Sequence, residues 1–255
     1  TSSFVFAQNT YVPDDKFEQA LIDLGYDTTM DDSVLTANIS GVTNLDIRNK
    51  DISDLTGIEA FSALIELIVS NNKLTSLDIS QNTALLYLDC NYNQLTSLDL
   101  SKNTALETLE CYNNQLTALD VSKNTALTWL SCYSNQLTSL DVSKNTALNN
   151  LECDDNQLTS LDVSKNIALK ELHCPGNLLT SLDVSKNTAL EQLNCSTNQL
   201  TYLNMRNGVT VQLNEFSATG NSSLTCIETL DPTYATTNWT SIDEGVTFAV
   251  ICGGT

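Results

Sequence analysis

The chain has 255 residues, enough for one large domain or two small ones, and hydrophobic residues make up 41% of it while aromatic residues make up 6%, so the core is expected to be aliphatic. Thirty-one acidic residues against eleven basic ones give a net charge of −20, which disfavours binding to nucleic acid and to anionic membrane surfaces. No run of about 18 apolar residues occurs, so no membrane-inserted helix is predicted.

The N-terminal end carries a short apolar stub, Phe4 to Ala7, followed by polar residues. An apolar stretch that ends in a small residue is typical of the last part of a secretory signal. Residues 1–9 are therefore interpreted as a signal-peptide remnant or, in the alternative interpretation, as a disordered tail.

Residues 10–41 are predicted to form an N-terminal cap. A short amphipathic helix is expected to begin after Pro13, with Asp14 or Asp15 serving its first turn and Gly25 ending it. The helix is expected to cover the first coil of the core with three apolar side chains: Phe17, Leu21 and Leu24.

A repeat with a period of 21 residues fills residues 42–205. The segment Leu-Thr-Ser-Leu-Asp-Val-Ser-Lys-Asn recurs nearly unchanged, and a second segment, L-x-x-L-x-C-x-x-N, lies between its copies. Because a single coil cannot bury its own apolar face, residues one period apart are expected to stack as spatial neighbours. Six cysteines mark the period: Cys90, Cys111, Cys132, Cys153, Cys174 and Cys195.

The second segment resembles the leucine-rich-repeat pattern L-x-x-L-x-L-x-x-N-x-L, with cysteine in place of the third leucine, and the resemblance covers about Val42 to Met205. The opening coil, Val42 to Ile58, resembles the 22-residue internalin-type repeat. The resemblance is to bacterial leucine-rich-repeat proteins of the internalin-like kind. It implies a leucine-rich-repeat solenoid of right-handed coils, mainly parallel β with little helix, in which the cysteine-containing half supplies the strands.

The two halves of each coil have similar patterns, and the alternation in the second half predicts extended backbone there as well. Stacked extended segments space at about 4.8 Å on both sides of the coil. The predicted overall shape is therefore a nearly straight rod with a cap at each end, and not a curved horseshoe.

The repeat also aligns polar side chains and thiols into ladders. The asparagines are expected to bond backbone groups that would otherwise be buried without partners. The six cysteines replace inward leucines and are interpreted as free thiols acting as small hydrophobes; a linear stack does not converge on one point, which argues against a metal site. The two asparagine ladders are Asn82, Asn103, Asn124, Asn145, Asn166 and Asn187, and Asn93, Asn114, Asn135, Asn156, Asn177 and Asn198.

An acidic ladder with a parallel row of lysines lies on the second half of the coils. The favoured interpretation is mutual charge compensation on a solvated face, and the alternative is a calcium-binding ridge, because hard cations take clustered carboxylate oxygens. No cofactor and no metal are predicted for the chain. The acidic ladder is Asp78, Asp99, Asp120, Asp141, Asp162 and Asp183.

The period fails after Met205, and residues 206–255 are predicted to form a C-terminal cap. This segment resembles the C-terminal cap of secreted leucine-rich-repeat proteins from Bacteroidetes-type bacteria. The resemblance leads us to predict a disulfide between Cys226 and Cys252, and with it an oxidising, extracytoplasmic location.

The outward positions of the cysteine-containing half vary from coil to coil, whereas the other half is monotonous. Aromatic and acidic side chains at an exposed site suit a protein ligand with basic or polar anchors, and they also suit a glycan. The opposing interpretation is that outward tyrosines reflect β-propensity alone. The candidate ligand-binding residues are Tyr87, Asp89, Tyr92, Glu110, Tyr112, Trp129, Tyr133, Glu152 and Asp154.

Catalysis is disfavoured by the same residues. His173 is the sole histidine, and no serine or cysteine is placed to use it in a triad. Asp89 and Glu110 would lie one coil apart, near the carboxyl separation of a retaining glycosidase, but a flat strand face offers no pocket to bury a general acid. The sequence therefore predicts a monomeric, non-catalytic module, secreted or at the cell surface, that serves protein binding or adhesion. Glycan binding is the alternative, and glycoside hydrolysis is a remote one.

Overall fold

The computed structural model describes residues 8–253, and most of the predicted signal remnant lies outside them. The N-terminal cap contains an antiparallel pair, β1 (Asn9–Tyr11) and β2 (Ser33–Leu35). Helix α1 (Asp15–Asp23) connects these two strands, and the short helix α2 (Thr36–Ile39) follows them. Among the described residues, no helix has the length and apolarity that a membrane crossing requires.

Asp14 is the N-cap residue of helix α1, which resolves the choice between two aspartates. One carboxylate oxygen of Asp14 accepts the backbone N–H groups of Lys16 and Phe17, as an N-cap residue does. Its other oxygen accepts the N–H groups of Ser53 and Asp54 in the first coil. One side chain therefore both starts the helix and ties it to the solenoid.

The apolar face of α1 is only partly as predicted. Phe17 and Leu21 are fully buried, but Leu24 is 46% exposed. Leu24 occupies the C-cap position, and the chain turns away immediately after it at Gly25, whose φ is +81°. The expectation that Leu24 covers the first coil was therefore wrong, because the chain leaves the core at that point.

The solenoid has about ten turns, and its main element in the described residues is a nine-stranded sheet of parallel strands. Each strand is three residues long with a buried apolar residue in the middle. Neighbouring strands pair in register, so that Leu88 faces Leu109 and Leu109 faces Leu130. The predicted stacking at one-period intervals is confirmed. The strands are β3 (Asn44–Asp46), β4 (Glu66–Ile68), β5 (Tyr87–Asp89), β6 (Thr108–Glu110), β7 (Trp129–Ser131), β8 (Asn150–Glu152), β9 (Glu171–His173), β11 (Gln192–Asn194) and β13 (Glu215–Ser217).

A second, four-stranded parallel sheet forms on the other side of the coils, towards the C-terminal end. In earlier coils the second half keeps the predicted alternation of buried and exposed residues, with Leu98 and Leu100 buried, but it has no strand pairing among the described residues. The second halves of the coils therefore pair into a sheet only towards the C-terminal end of the solenoid. The straight shape of the rod stays a prediction. The strands are β10 (Ser181–Asp183), β12 (Tyr202–Met205), β14 (Cys226–Thr229) and β15 (Thr247–Ala249).

Both sheets continue past Met205 into the segment predicted to be the C-terminal cap. Helix α3 (Pro232–Asn238) follows β14, and Trp239 after it stacks on Phe216 with a centroid distance of 4.5 Å. These rings close the open end of the aliphatic core. Cys226 and Cys252 form a disulfide, as the resemblance implied.

The six repeat cysteines are buried and unpaired, and they stack in the core between the two sides of each coil. Burial in apolar surroundings raises the pKa of every one of these thiols, that of Cys195 to about 12. A thiol that is both covered and protonated is a poor nucleophile.

We therefore expect the native protein to show essentially no reaction with a thiol-specific chromogenic reagent near pH 8, and six reactive thiols per chain after denaturation in urea without reductant. The reaction is followed by absorbance before and after denaturant is added. Rapid labelling of the native protein would contradict the buried ladder, and eight thiols after denaturation would contradict the disulfide.

The asparagine ladder that follows the cysteines bridges neighbouring coils. The side-chain amide of Asn135 donates to the carbonyl oxygens of Cys111 and Cys132, and its oxygen accepts the N–H of Leu116 at 3.0 Å. The same pattern recurs at Asn93, Asn114, Asn156, Asn177 and Asn198. Each side chain thus joins backbone groups of two coils where the chain leaves the strand.

The second asparagine ladder is bonded differently. Asn124 donates to the carbonyl oxygens of Leu100 and Asn103, but its own oxygen is buried without a partner among the described residues. The same holds for Asn82, Asn103, Asn145, Asn166 and Asn187. One ladder therefore uses both ends of its amide, and the other uses the donor end alone.

Candidate ligand-binding face

The candidate residues lie on one side of the solenoid, which we call the variable face. It consists of the first and third residues of each main-sheet strand together with the two residues that follow each repeat cysteine. The middle strand residue and the cysteine point into the core, so these flanking positions turn outward. Strand pairing places Asp89 opposite Glu110, and Glu110 opposite Ser131.

Three tyrosines from adjacent coils form a continuous stack on this face. Tyr112 and Tyr133 lie face to face with ring centroids 4.2 Å apart, and Tyr92 meets Tyr112 edge-on at 5.5 Å. Tyr92 is 52% exposed, whereas the two others are half-buried. We call these three stacked rings the tyrosine ridge, and Tyr92 is its most exposed end.

Tyr92 reaches the stack because the backbone turns there. Its φ is +48°, in the left-handed region that favours glycine. The equivalent position has positive φ in every coil from Asn49 to Gly220, including Asn71, Asn113, Ser134, Asp155, Gly176 and Thr197. A bulky aromatic side chain in this conformation is held by the turn that the repeat imposes.

Two of the predicted contact residues are largely engaged within the protein. The hydroxyl of Tyr87 donates to Glu110 at 2.8 Å, and burial together with this carboxylate raises the pKa of Tyr87. Asp89 is buried and accepts the N–H of Asn91, and burial raises its pKa too. Of the two paired carboxylates, Asp89 and Glu110, only Glu110 is half-exposed. Asp89 is buried under the variable face.

Trp129 is not part of the tyrosine stack. It is 40% exposed at the first position of β7, at the other end of the strand from Tyr133, and Thr108 separates it from Tyr87 along the sheet. The structure therefore divides the predicted cluster into a tyrosine ridge at one edge and Trp129 with Tyr87 at the other. The sequence pattern placed all of them on one face but did not separate the two edges.

A polar cluster adjoins the ridge in the next two coils. The hydroxyl of Ser131 donates to Glu152 at 2.7 Å, and the amide of Asn150 donates to Glu171. Asp154, beside Tyr133 in the stacked rows, is half-buried. One carboxylate oxygen of Asp154 and the side-chain oxygen of Asn150 are buried and have no hydrogen-bond partner within residues 8–253. Sequence reasoning did not select Asn150, because the residues around it do not distinguish it from an ordinary solvated polar residue.

Asp154 should make the stability of the fold depend on pH. Burial raises its pKa from 3.8 to about 6, with His173 opposing the shift. Between the two values the folded state retains a proton that the unfolded state has lost, so stability falls as pH rises through this window. We expect Asp154→Asn to raise the melting temperature near pH 7.5 and to change it little near pH 4.

Thermal melts at both pH values test this expectation. Asp120→Asn is the control of opposite sign, because hydrogen bonds from Ser122 lower the pKa of Asp120 and its replacement should lower the melting temperature near pH 7.5. An equal shift at both pH values for Asp154→Asn would show that packing, and not ionisation, controls the effect.

The arrangement of Ser131, Glu152 and His173 does not form a catalytic triad. The three residues follow one another in register across β7, β8 and β9, so the carboxylate lies between the serine and the histidine. A triad needs the imidazole in the middle, where it takes the serine proton. Here the hydroxyl of Ser131 donates to the carboxylate of Glu152 and not to the imidazole of His173.

Two grooves of the described structure lie away from these residues. One of about 390 Å³ at the C-terminal end is lined by Phe216, Tyr234 and Trp239, and one of about 410 Å³ lies between Asp141 and Asp162 on the monotonous side. Neither is lined by a candidate residue. The candidate residues of the variable face lie on short strands and on the turns that follow them, and three of their aromatic rings form a ridge, a geometry that suits a macromolecule better than a small enclosed ligand.

Comparison with known proteins agrees with this architecture. No family model matches the chain. Over 75 residues, 29% of this chain, it is 41% identical to internalin J of Listeria monocytogenes serotype 4b, a match that spans 8% of that protein. The solved functional domain of InlJ from Listeria monocytogenes, which includes a cysteine ladder, is 37% identical with a TM-score of 0.78, over 89% of this chain and 53% of that chain.

A second solved structure, a leucine-rich-repeat protein of Leptospira interrogans, is 26% identical with a TM-score of 0.62. The match covers 73% of this chain and 48% of that chain. The chain thus spans about half the length of these two solved proteins and a much smaller share of internalin J.

Proposed function

We propose that this chain, a bacterial internalin-like leucine-rich-repeat protein with a cysteine ladder, is a non-catalytic module that binds a protein ligand through its variable face, outside the cell. The observation that carries the proposal is the stack of Tyr92, Tyr112 and Tyr133 beside half-exposed carboxylates. Binding of this kind would serve adhesion or recognition at a cell surface.

The tyrosine ridge has the properties of a binding anchor. Aromatic side chains bury a large area and lose few rotamers on binding, which is why they dominate the energetics of interfaces. Tyr112 and Tyr133 already hold each other in place, so little further ordering is needed. The ridge therefore favours a partner that lays an apolar or cationic group against the rings.

The charge around the ridge favours a basic partner. Glu110 and Glu152 flank it, Asp154 adjoins it, and the chain as a whole carries −20. Carboxylates on an open face and a large negative net charge attract lysine- or arginine-rich surfaces and speed their association at low salt. Arginine also stacks on tyrosine faces, so one side chain type satisfies both features.

Two observations support an extracytoplasmic location. The Cys226–Cys252 disulfide is the kind of bond that persists in oxidising compartments. The second observation is the similarity to internalin J and to the solved InlJ domain, because internalins are secreted or surface-anchored bacterial proteins. A monomer with one accessible variable face suffices for the proposed role.

Glycan binding is the second candidate, supported by the same rings, on which a sugar can stack, and by the half-exposed carboxylates of Glu110 and Glu152 beside them, which can accept sugar hydroxyls. The two candidates differ in charge dependence. A basic protein ligand should bind more weakly as salt is raised, whereas ring stacking on a neutral sugar should change little.

The test uses immobilised wild-type protein against a library of displayed peptides and, separately, a glycan array. Tyr112→Ala should lower the affinity of selected peptides by at least about ten-fold, since removal of a central aromatic anchor typically costs 2 kcal/mol or more. Lys123→Ala, on the monotonous side, is the matched control. Binders that tolerate Tyr112→Ala but are lost in Lys123→Ala would place the interface on the wrong face, and selective glycan hits would favour the second candidate.

A further inference from the structure

Three carboxylates converge in the N-terminal cap, away from the variable face. At least one oxygen each of Glu18, Asp27 and Asp31 lies within 4.8 Å of an oxygen of the other two. Glu18 is on helix α1 and is only 1% exposed, while the two aspartates belong to the loop that leads to β2. Among the described residues, no ion pair includes any of the three.

Hydrogen bonds orient each of these carboxylates by one oxygen. One oxygen of Glu18 accepts the N–H groups of Asp31 and Ser33, at 2.8 and 3.1 Å. The N–H of Thr28 bonds one oxygen of Asp27, and the hydroxyl of Ser33 bonds one oxygen of Asp31. The carboxylates are thus fixed by the backbone of the loop and not by a positive side chain.

The second oxygen of the buried carboxylate is left without a partner. Oε2 of Glu18 and Oδ2 of Asp27 are both buried and bond no donor among the described residues. A buried carboxylate oxygen that lacks a donor is costly, and carboxylates a few ångströms apart add repulsion to that cost. Such groups in proteins are normally neutralised by a pairing cation or by a coordinated metal ion.

We infer that Glu18, Asp27 and Asp31 bind one calcium ion that joins helix α1 to the loop before β2. Calcium takes carboxylate oxygens in flexible geometry and tolerates water and backbone oxygens in its remaining positions, which suits a site with one exposed edge. Magnesium requires a near-ideal octahedron and gives up its water reluctantly, so it fits this loop less well. The charge of the ion offsets the three carboxylates and satisfies the buried oxygens.

The site has a structural consequence for the solenoid. Helix α1 is already tied to the first coil through Asp14 and Ser53. A calcium ion at Glu18 ties the same helix to the loop that leads into β2. The end of the core that Phe17 and Leu21 cover is then closed from both sides.

The experiment is calcium titration by calorimetry into the chelator-treated full chain, with melts in millimolar calcium, in magnesium and in EDTA. Wild type should bind one calcium ion per chain, melt several degrees higher in calcium than in EDTA, and respond more weakly to magnesium. Asp27→Asn, which keeps the oxygen that bonds Thr28, should weaken calcium binding about ten-fold or more, because carboxylate count sets affinity at such sites.

Asp99→Asn, on the acidic ladder of the coils, is the matched control and should bind calcium as wild type does. Glu18→Gln provides a second variant and should also lose binding, with circular dichroism checking its fold. Absence of calcium heat and of a melting shift in wild type would overturn the inference. So would calcium binding that survives Asp27→Asn and disappears in Asp99→Asn.

Discussion

Asn135→Ala is expected to lower the free energy of unfolding by about 3 kcal/mol. Among the described residues, the side-chain oxygen of Asn135 is the one partner of the buried N–H of Leu116, so the substitution leaves that N–H unsatisfied. An orphaned buried donor costs about 1–3 kcal/mol, and each further hydrogen bond lost from the amide adds about 1 kcal/mol. Urea denaturation at matched slope measures the change.

Asn124→Ala is the matched comparison, because it removes the same side chain from the other ladder. The carbonyls that Asn124 bonds, those of Leu100 and Asn103, each keep a backbone N–H partner, and its own oxygen has no partner in the part of the chain that the structure describes. We therefore expect a loss of only about 1–2 kcal/mol. Equal losses at the two positions would mean that packing, and not hydrogen bonding, governs both ladders.

Removal of the Cys226–Cys252 disulfide is expected to cost about 3.5 kcal/mol on the chain-entropy estimate for a loop of 26 residues. In a solenoid each coil is stabilised by its neighbours, so the loss should be concentrated at the C-terminal end, where β14 and β15 pair. Melts of wild type with and without reductant measure the effect.

The double variant Cys226→Ala, Cys252→Ala should melt at the temperature of the reduced wild type and should not respond to reductant. Cys132→Ala is the control: it removes one ladder thiol, keeps the disulfide and should retain the full response to reductant. If the wild type melts identically in both conditions, the C-terminal end is held by packing such as that of Trp239 on Phe216 and not by the disulfide.

The proposed binding role and the proposed calcium site are independent. The first depends on side chains in the middle coils, and the second depends on the cap, which the tyrosine ridge does not touch. Loss of calcium should therefore change the melting temperature without altering the selection of peptides by Tyr112. Each proposal can fail while the other stands.

The sequence by itself determined the solenoid, because the residues that repeat at each period have the same structural role in successive coils. Six successive coils repeat an inward leucine, a cysteine and an asparagine at fixed spacing, and only in-register stacking buries them together. The buried cysteine ladder and the outward direction of Tyr112 and Tyr133 follow from this period alone. Helix α1 was also predictable, because Asp14 and Gly25 mark its ends with ordinary capping chemistry.

Only the tertiary structure decided which outward residues touch each other and which are free. Stacking brings Tyr92 to Tyr112 through a left-handed turn, buries Asp89 and leaves Trp129 at the opposite edge. It likewise separates two asparagine ladders that look alike in sequence, and it gathers Glu18 with Asp27 and Asp31 across a loop. A period fixes the direction of a side chain, but contact and burial depend on neighbours that the local pattern does not contain.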